Sequence, residues 1–185
     1  AWGRWRGAVA WADRIRACPN IRLGVTYDEW IAGKSANFRS EMRRARRRFE
    51  RAGGRLRLAD AETLEADVEA YLRLHLSRRG AASDLHDIAG GMRAALVEAG
   101  RQLAPKRMRL HMLEIDGEPI GALLCMAAGG EVLFSNVGWS ERHARLKPGI
   151  VGLLAAVEEA CARGDARIDL GPGTYPNKLR FASGD

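Results

Sequence analysis

Glu131-Val-Leu-Phe-Ser-Asn-Val-Gly-Trp139, Arg142-His-Ala-Arg-Leu-Lys-Pro-Gly149, Ile150-Val-Gly-Leu-Leu-Ala-Ala-Val157, Ala166-Arg-Ile-Asp-Leu-Gly171 and Thr174-Tyr-Pro-Asn-Lys-Leu-Arg-Phe181 follow one another near the end of the chain. They read as an apolar strand, a basic Pro-Gly loop, an apolar helix, a second strand ending in glycines, and a Lys-bearing segment. Pro148 presets φ for a first helical turn, and Gly149 and Gly152 let a ligand approach the backbone. The unpaired amides of that turn can then act as an anion site. Arg142, Arg145 and Lys147 add positive charge beside it. Two readings are open: a cradle for phosphate or pyrophosphate, or a capped core helix after a solvated basic loop.

The chain before this stretch alternates in the same way. Arg55 to Asp60 reads as a short strand, and Leu64, Val68, Tyr71, Leu72 and His75 mark one stripe of a helix reaching about Arg79. Ile88, Met92, Ala95, Leu96, Ala99 and Leu103 mark the next helix, which Pro105 stops. Residues 107–115 place Met108, Leu110 and Met112 on one strand face and Arg109, His111 and Leu113 on the other, and residues 118–128 are nearly all apolar. Asp116-Gly117 and Gly129-Gly130 are tight-turn signals between three successive strands. The expected architecture is α/β (α+β): a mixed sheet with an antiparallel three-strand meander, flanked by helices.

Seven arginines fall between Arg39 and Arg51, a segment where Phe38, Met42, Ala45, Phe49 and Ala52 recur at helical spacing. Ser35 suits its N-cap and Gly53-Gly54 its end. The arginines take the other faces, either as a solvated surface or as a contact for a polyanion, a nucleotide-linked substrate or an acidic lipid surface. The whole chain has 185 residues, 46% of them apolar, and a net charge of +7, which suits one cored domain and excludes a disordered protein. Cys18, Cys125 and Cys161 are odd in number and lack CxxC spacing, so a reducing, cytoplasmic setting is expected. The four histidines and three cysteines lack metal-ligand spacing, so no metal is expected. No apolar run approaches the length of a membrane span.

This order of elements resembles the GNAT acyltransferase fold. The closer likeness is to CelD-type acetyltransferases of cellulose and exopolysaccharide biosynthesis, with a more distant one to FemAB-type peptidyltransferases. It rests on the Arg-rich helix, Leu74-His75-x-x-Arg78, Ile115-Asp-Gly-Glu-Pro-Ile-Gly121, Pro148-Gly149, and Ile168-Asp-Leu-Gly171 followed by Lys178 and Phe181. The resemblance implies an N- or O-acyltransferase that uses acetyl-CoA or another acyl-CoA, with a sugar, polysaccharide precursor or small metabolite as acceptor. Direct attack on the thioester is expected, since no Ser-His-Asp or Cys-His series is spaced for a covalent intermediate. A FemAB-like use of aminoacyl-tRNA is the alternative within the enzyme class. Asn177 and Arg79 stand where the family usually carries aromatics, which also leaves a catalytically inactive binding or scaffolding module open.

The resemblance assigns the acyl-CoA pyrophosphate to the amides of Gly149, Ile150, Val151 and Gly152, with Arg145 and Lys147 beside them, and the pantetheine arm and thioester carbonyl to Val137, Gly138 and Trp139. Tyr175 is the implied proton donor to the leaving thiolate, though it also suits packing under the sheet edge. Asp169 can deprotonate the acceptor or anchor its own turn, and Lys178 can steady charge at the acyl carbonyl or lie on a solvated face. His75, Arg78, His111 and Asn136 are the candidates for acceptor contacts; His75 also lies on an apolar stripe. Four of five tryptophans fall at Trp2, Trp5, Trp11 and Trp30. Residues 1–33 are therefore read as a Trp/Arg-rich connecting segment and residues 34–185 as the GNAT-like domain. The expected partner of this segment is an upstream GNAT-like half of a longer chain.

Overall fold

The computed structural model describes residues 2–5, 8–11, 17–79 and 89–183. Strands β1 (Trp2–Trp5) and β2 (Ala8–Trp11) pair antiparallel as a separate hairpin. Strand β3 (Asn20–Arg22), helices α1 (Tyr27–Ala32) and α2 (Ala36–Arg51), strand β4 (Gly54–Leu58) and helices α3 (Leu64–Arg79) and α4 (Ala89–Leu103) follow. Then come β5 (Met108–Ile115), β6 (Glu118–Ala128), β7 (Glu131–Trp139), a 3-10 segment at Glu141–Leu146, α5 (Pro148–Ala162), β8 (Arg167–Asp169) and α6 (Pro176–Phe181). The main sheet has six strands in the order β3-β8-β7-β6-β5-β4, with every pair antiparallel except β7 and β8. The mixed sheet and its three-strand meander are as the sequence leads one to expect.

Local chemistry explains the meander. Asp116 and Gly117 have φ of 50° and 80°, and Gly129 and Gly130 have 60° and 78°. Both connections thus take the left-handed conformations that match the twist of a two-residue hairpin. On β5 the expected alternation holds. Met108, Leu110 and Met112 face α3 and α4 in one apolar cluster with Leu64, Val68, Tyr71 and Leu74. Leu113 faces the other side, where Ala45 and Phe49 of α2 and Val151 of α5 meet it. A larger cluster on that side joins Phe38, Met42, Leu123, Leu153, Val157, Ile168 and Phe181. Helices α1, α2 and α5 thus cover one face of the sheet, and α3 and α4 the other.

Two arginines brace these layers through ion pairs. Arg57 on β4 reaches Asp67 on α3 at 2.6 Å and Glu114 on β5 at 2.6 Å. Arg109 on β5 meets Asp165, just past α5, at 2.5 Å. Residues 17–33, expected in the connecting segment, contribute to the same body. Strand β3 fills the edge beyond β8 by pairing Ile21 with Ile168, and Trp30 packs against Phe38 and Phe181.

Candidate functional site

The parting of β7 from β8 makes the opening. The two strands pair in parallel only at Glu131↔Arg167, Val132↔Ile168 and Leu133↔Asp169. At Ser135 the β6–β7 register shifts, because Cys125 opposes Phe134 while Leu124 opposes Asn136. This one-residue bulge bends β7, which runs on to Trp139 paired with β6 alone. The chain leaving β8 turns at Gly171, whose φ is +73°. The Asp169 carboxylate accepts the Gly171 N–H at 2.7 Å, an Asx turn that fixes this departure. Asp169 thus anchors its own turn.

Helix α5 begins beside the opening. Lys147 sits at its N-cap in the left-handed region, φ 53° and ψ 50°, a conformation that costs a non-glycine residue about 1 kcal/mol or more. Its carbonyl accepts N–H bonds from both Ile150 and Val151 at 3.0 Å. Of the first-turn amides only Gly149 N–H is left without a partner among the described residues, since Pro148 has none to offer. The cradle is narrower than the sequence suggests. A Cβ on Gly149 would lie 3.2 Å from the Trp139 indole, so the missing side chain there makes room for Trp139. Gly152 is buried against Leu113 and Leu123 of the sheet, and Val151 lies in the core. Both face the sheet.

Gly138 has a different neighbour again. A Cβ there would come within 2.4 Å of the His75 backbone nitrogen and 2.7 Å of the Leu74 carbonyl carbon. Helix α3 rests directly on β7 at this point, and the His75 ring nitrogen Nδ1 lies 3.4 Å from the Val137 carbonyl. His75 is thus a buried residue that supports the strand from behind. Val137 and Trp139 share the α5 face, whereas Asn136, paired with Leu124, shares the α3 face, so the strand presents them to opposite sides. The Arg78 side chain lies outside the described residues.

His111 does not reach the opening. It is 4% exposed between β5 and α5, with Nε2 3.2 Å from the Glu159 carboxylate, which Arg163 also holds at 2.6 Å. Burial acts to raise the Glu159 pKa, but the adjacent His111, Arg163 and Arg109 leave it lowered overall. His111 and Arg109 share one strand face, as the alternation predicts, and helix α5 covers them.

Beyond β8, Tyr175 caps α6 and is 62% exposed. Lys178 donates to the carbonyls of Gly171 at 3.2 Å and Pro172 at 2.9 Å, and its ammonium lies 5.6 Å from the Tyr175 ring centroid. The phenol, the loop and the ammonium form one unit at the β8 side of the opening.

Sequence reasoning missed the residue that ties the two sides together. Glu41 of α2 accepts from Lys147 at 2.9 Å through Oε1, and from Arg180 of α6 at 2.6 Å through Oε2 and 3.4 Å through Oε1. Hydrogen bonds from Arg180 and then Lys147 hold its carboxyl down at about 2. One signal was available: Glu41 is the sole acid between Ala36 and Phe49, on the flank of the apolar stripe, where a helix residue meets its neighbours. The guanidinium of Arg48 also donates to the Arg145 carbonyl at 3.0 Å, so the basic face of α2 runs into the 3-10 segment. Arg145 itself is exposed. No group of side chains suited to a metal ion occurs among the described residues, and none of their helices is long and apolar enough to cross a membrane.

Known structures share the fold. FemX superposes with a TM-score of 0.67 at 13% identity, covering 89% of this chain and 55% of that one. A conserved protein of unknown function from Bacteroides thetaiotaomicron gives 0.59 at 13% identity, covering 91% and 56%. L-PGS from Bacillus licheniformis gives 0.55 at 12% identity, covering 88% and 46%. At such identities the likeness shows the fold alone, and the chain spans about half the length of each. No curated protein matches the chain. The sequence profile of the acetyltransferase (GNAT) domain matches residues 36–179, from the first turn of α2 into α6, and therefore takes in both walls of the opening. The chain belongs to the GNAT acetyltransferase domain family.

Proposed function

We propose that this acyltransferase domain takes its acyl group from acyl-CoA and passes it to a hydroxyl or amine of a sugar, polysaccharide precursor or small metabolite, as the CelD-type resemblance implies. The observation that carries the reading is the opening between β7 and β8, produced by the Ser135 bulge and flanked by the α5 N-terminus. A strand edge with unpaired backbone groups suits an extended amide-bearing arm, and the adjacent cations suit phosphate. Gly149 N–H, Lys147 and Arg145 would hold the phosphates, and the backbone of β7 from Asn136 to Trp139, which has no strand partner on its β8 side, the arm. The acceptor oxygen or nitrogen attacks the thioester carbonyl, the C–S bond breaks, and the acceptor's proton ends on the thiol. Tyr175 is the exposed proton donor in this scheme, with Lys178 holding the loop that presents it. Calorimetric titration with acetyl-CoA tests the reading: saturable binding that Tyr175→Phe leaves intact, with a slower transfer step, is expected. Absence of binding would remove it.

A second reading, transfer from aminoacyl-tRNA, draws on a specific observation. Arg43, Arg44, Arg47, Arg48 and Arg51 are exposed on the side of α2 opposite its buried stripe, a ridge suited to a phosphate backbone. Under this reading tRNA binds with a steep salt dependence and acetyl-CoA does not bind.

A further inference from the structure

Lys147 and Arg180 come from segments far apart in sequence, yet both touch the same oxygen of Glu41. An isolated cation at a surface gains little from such a partner, but two cations brought together repel one another unless an anion sits between them. The carboxylate supplies that anion. Lys147 is the N-cap of α5, so a ligand phosphate beside Gly149 would compete with Glu41 for its ammonium. Arg180 also forms one wall of a cavity of about 310 Å³, with Lys34, Ser35, Asn37 and Phe38, which gives solute a way to it. The cavity has no acidic lining residue. Lys34 also lines it, donating to the Phe181 and Ala182 carbonyls at 2.7 and 3.2 Å and so closing the end of α6.

We propose that Glu41 is a resident stand-in for a ligand phosphate: it holds Lys147 and Arg180 together in the free protein and is displaced when a phosphate-bearing ligand takes their charge. This rests on the opening being the site of a phosphate-bearing acyl donor, and it adds Arg180 and Glu41 to that site. An intramolecular anion competes with every incoming one, so observed affinity is reduced by the fraction of molecules in which Glu41 has let go. The device favours ligands with two or more phosphate charges over singly charged anions, because both cations must be satisfied at once.

The test is calorimetric titration of coenzyme A, inorganic pyrophosphate and a bulk tRNA against the parent, Glu41→Gln, Lys147→Ala and Arg180→Ala, each checked for folding by circular dichroism. Exchange predicts that Glu41→Gln tightens at least one of these ligands by about fivefold or more, and that the gain shrinks as salt rises. Lys147→Ala and Arg180→Ala should each weaken the same ligand. The ligand that responds tells the source: coenzyme A for the first donor reading, tRNA for the second. Glu41→Gln that binds as the parent does, or more weakly, overturns the exchange while leaving the donor reading standing wherever coenzyme A still binds. Should Glu41→Gln fail to fold, Glu41→Asp takes its place, since its shorter reach cannot span both cations; unchanged or weaker binding in that variant likewise overturns the proposal. Binding of none of the three ligands to any folded variant removes both the exchange and the donor reading.

Discussion

Replacing Gly138 by Ala asks whether helix α3 rests on β7 as closely as the site requires. The added methyl would stand 2.4 Å from the His75 nitrogen, 2.7 Å from the Leu74 carbonyl carbon and 2.8 Å from the His75 Cα, all of them backbone. Carbon atoms in ordinary contact sit about 3.5 Å or more apart, so the helix and strand must separate by most of an ångström. Side-chain rotation cannot relieve a clash with backbone. Alanine would gain about 0.5–1 kcal/mol over glycine from lower chain entropy in a strand, whereas overpacking costs about 1–3 kcal/mol and more where nothing can yield. The expected net loss is about 2 kcal/mol, or a melting temperature lower by about 4–8 °C for a domain of this size. Chemical denaturation followed by circular dichroism reads it. Gly152→Ala is the control: its methyl would meet Leu113 Cδ1 at 3.3 Å, a flexible side-chain end, and the change should stay within about 1 kcal/mol of the parent. If Gly138→Ala melts at or above the parent's temperature, α3 does not press on β7 and the support for the opening is misplaced.

Other perturbations test the frame around the opening. Asp165→Ala leaves Arg109 buried without its partner and should cost about 3–5 kcal/mol, read from the denaturation midpoint. Phe181→Ala removes the ring that lies 5.1 Å from Phe38 and 6.3 Å from Trp30, and a loss of about 3–5 kcal/mol is expected; a loss below about 1 kcal/mol would mean that α6 is not docked on α1 and α2. Glu41 has its carboxyl lowered from 4.5 to about 2, so its contribution is present above pH 4.5 and lost as pH falls through 2. The stability difference between the parent and Glu41→Gln should therefore be constant near neutrality and shrink between those values; a difference that grows on acidification would contradict the bridge.

Much of the frame was legible because it depends on period and turn chemistry. The alternation on Met108 to Leu113, the Asp116-Gly117 and Gly129-Gly130 turns, and the Phe38, Met42, Ala45, Phe49 stripe are local patterns, and each element follows from them. Strand β3 was not legible, for three residues give no periodicity and their pairing with β8 joins segments nearly 150 residues apart. The site was readable in outline only. Pro148 and Lys147 mark the α5 start correctly, but composition cannot say which side of a glycine is open. Gly138 faces a helix backbone, Gly149 an indole and Gly152 two leucines, and these are facts of tertiary packing. Glu41 escaped for the same reason, since its two cations come from other elements.

Calorimetric titration of acetyl-CoA into the protein, repeated with Gly149→Val and Lys147→Ala, tests the central proposal most directly. A saturable isotherm in the parent, lost or at least about tenfold weaker in folded Lys147→Ala, is the result the account predicts, with Gly149→Val also weakened through displacement of the Trp139 indole. An acetyl-CoA isotherm that both variants reproduce, or none at all where tRNA binds, would contradict it.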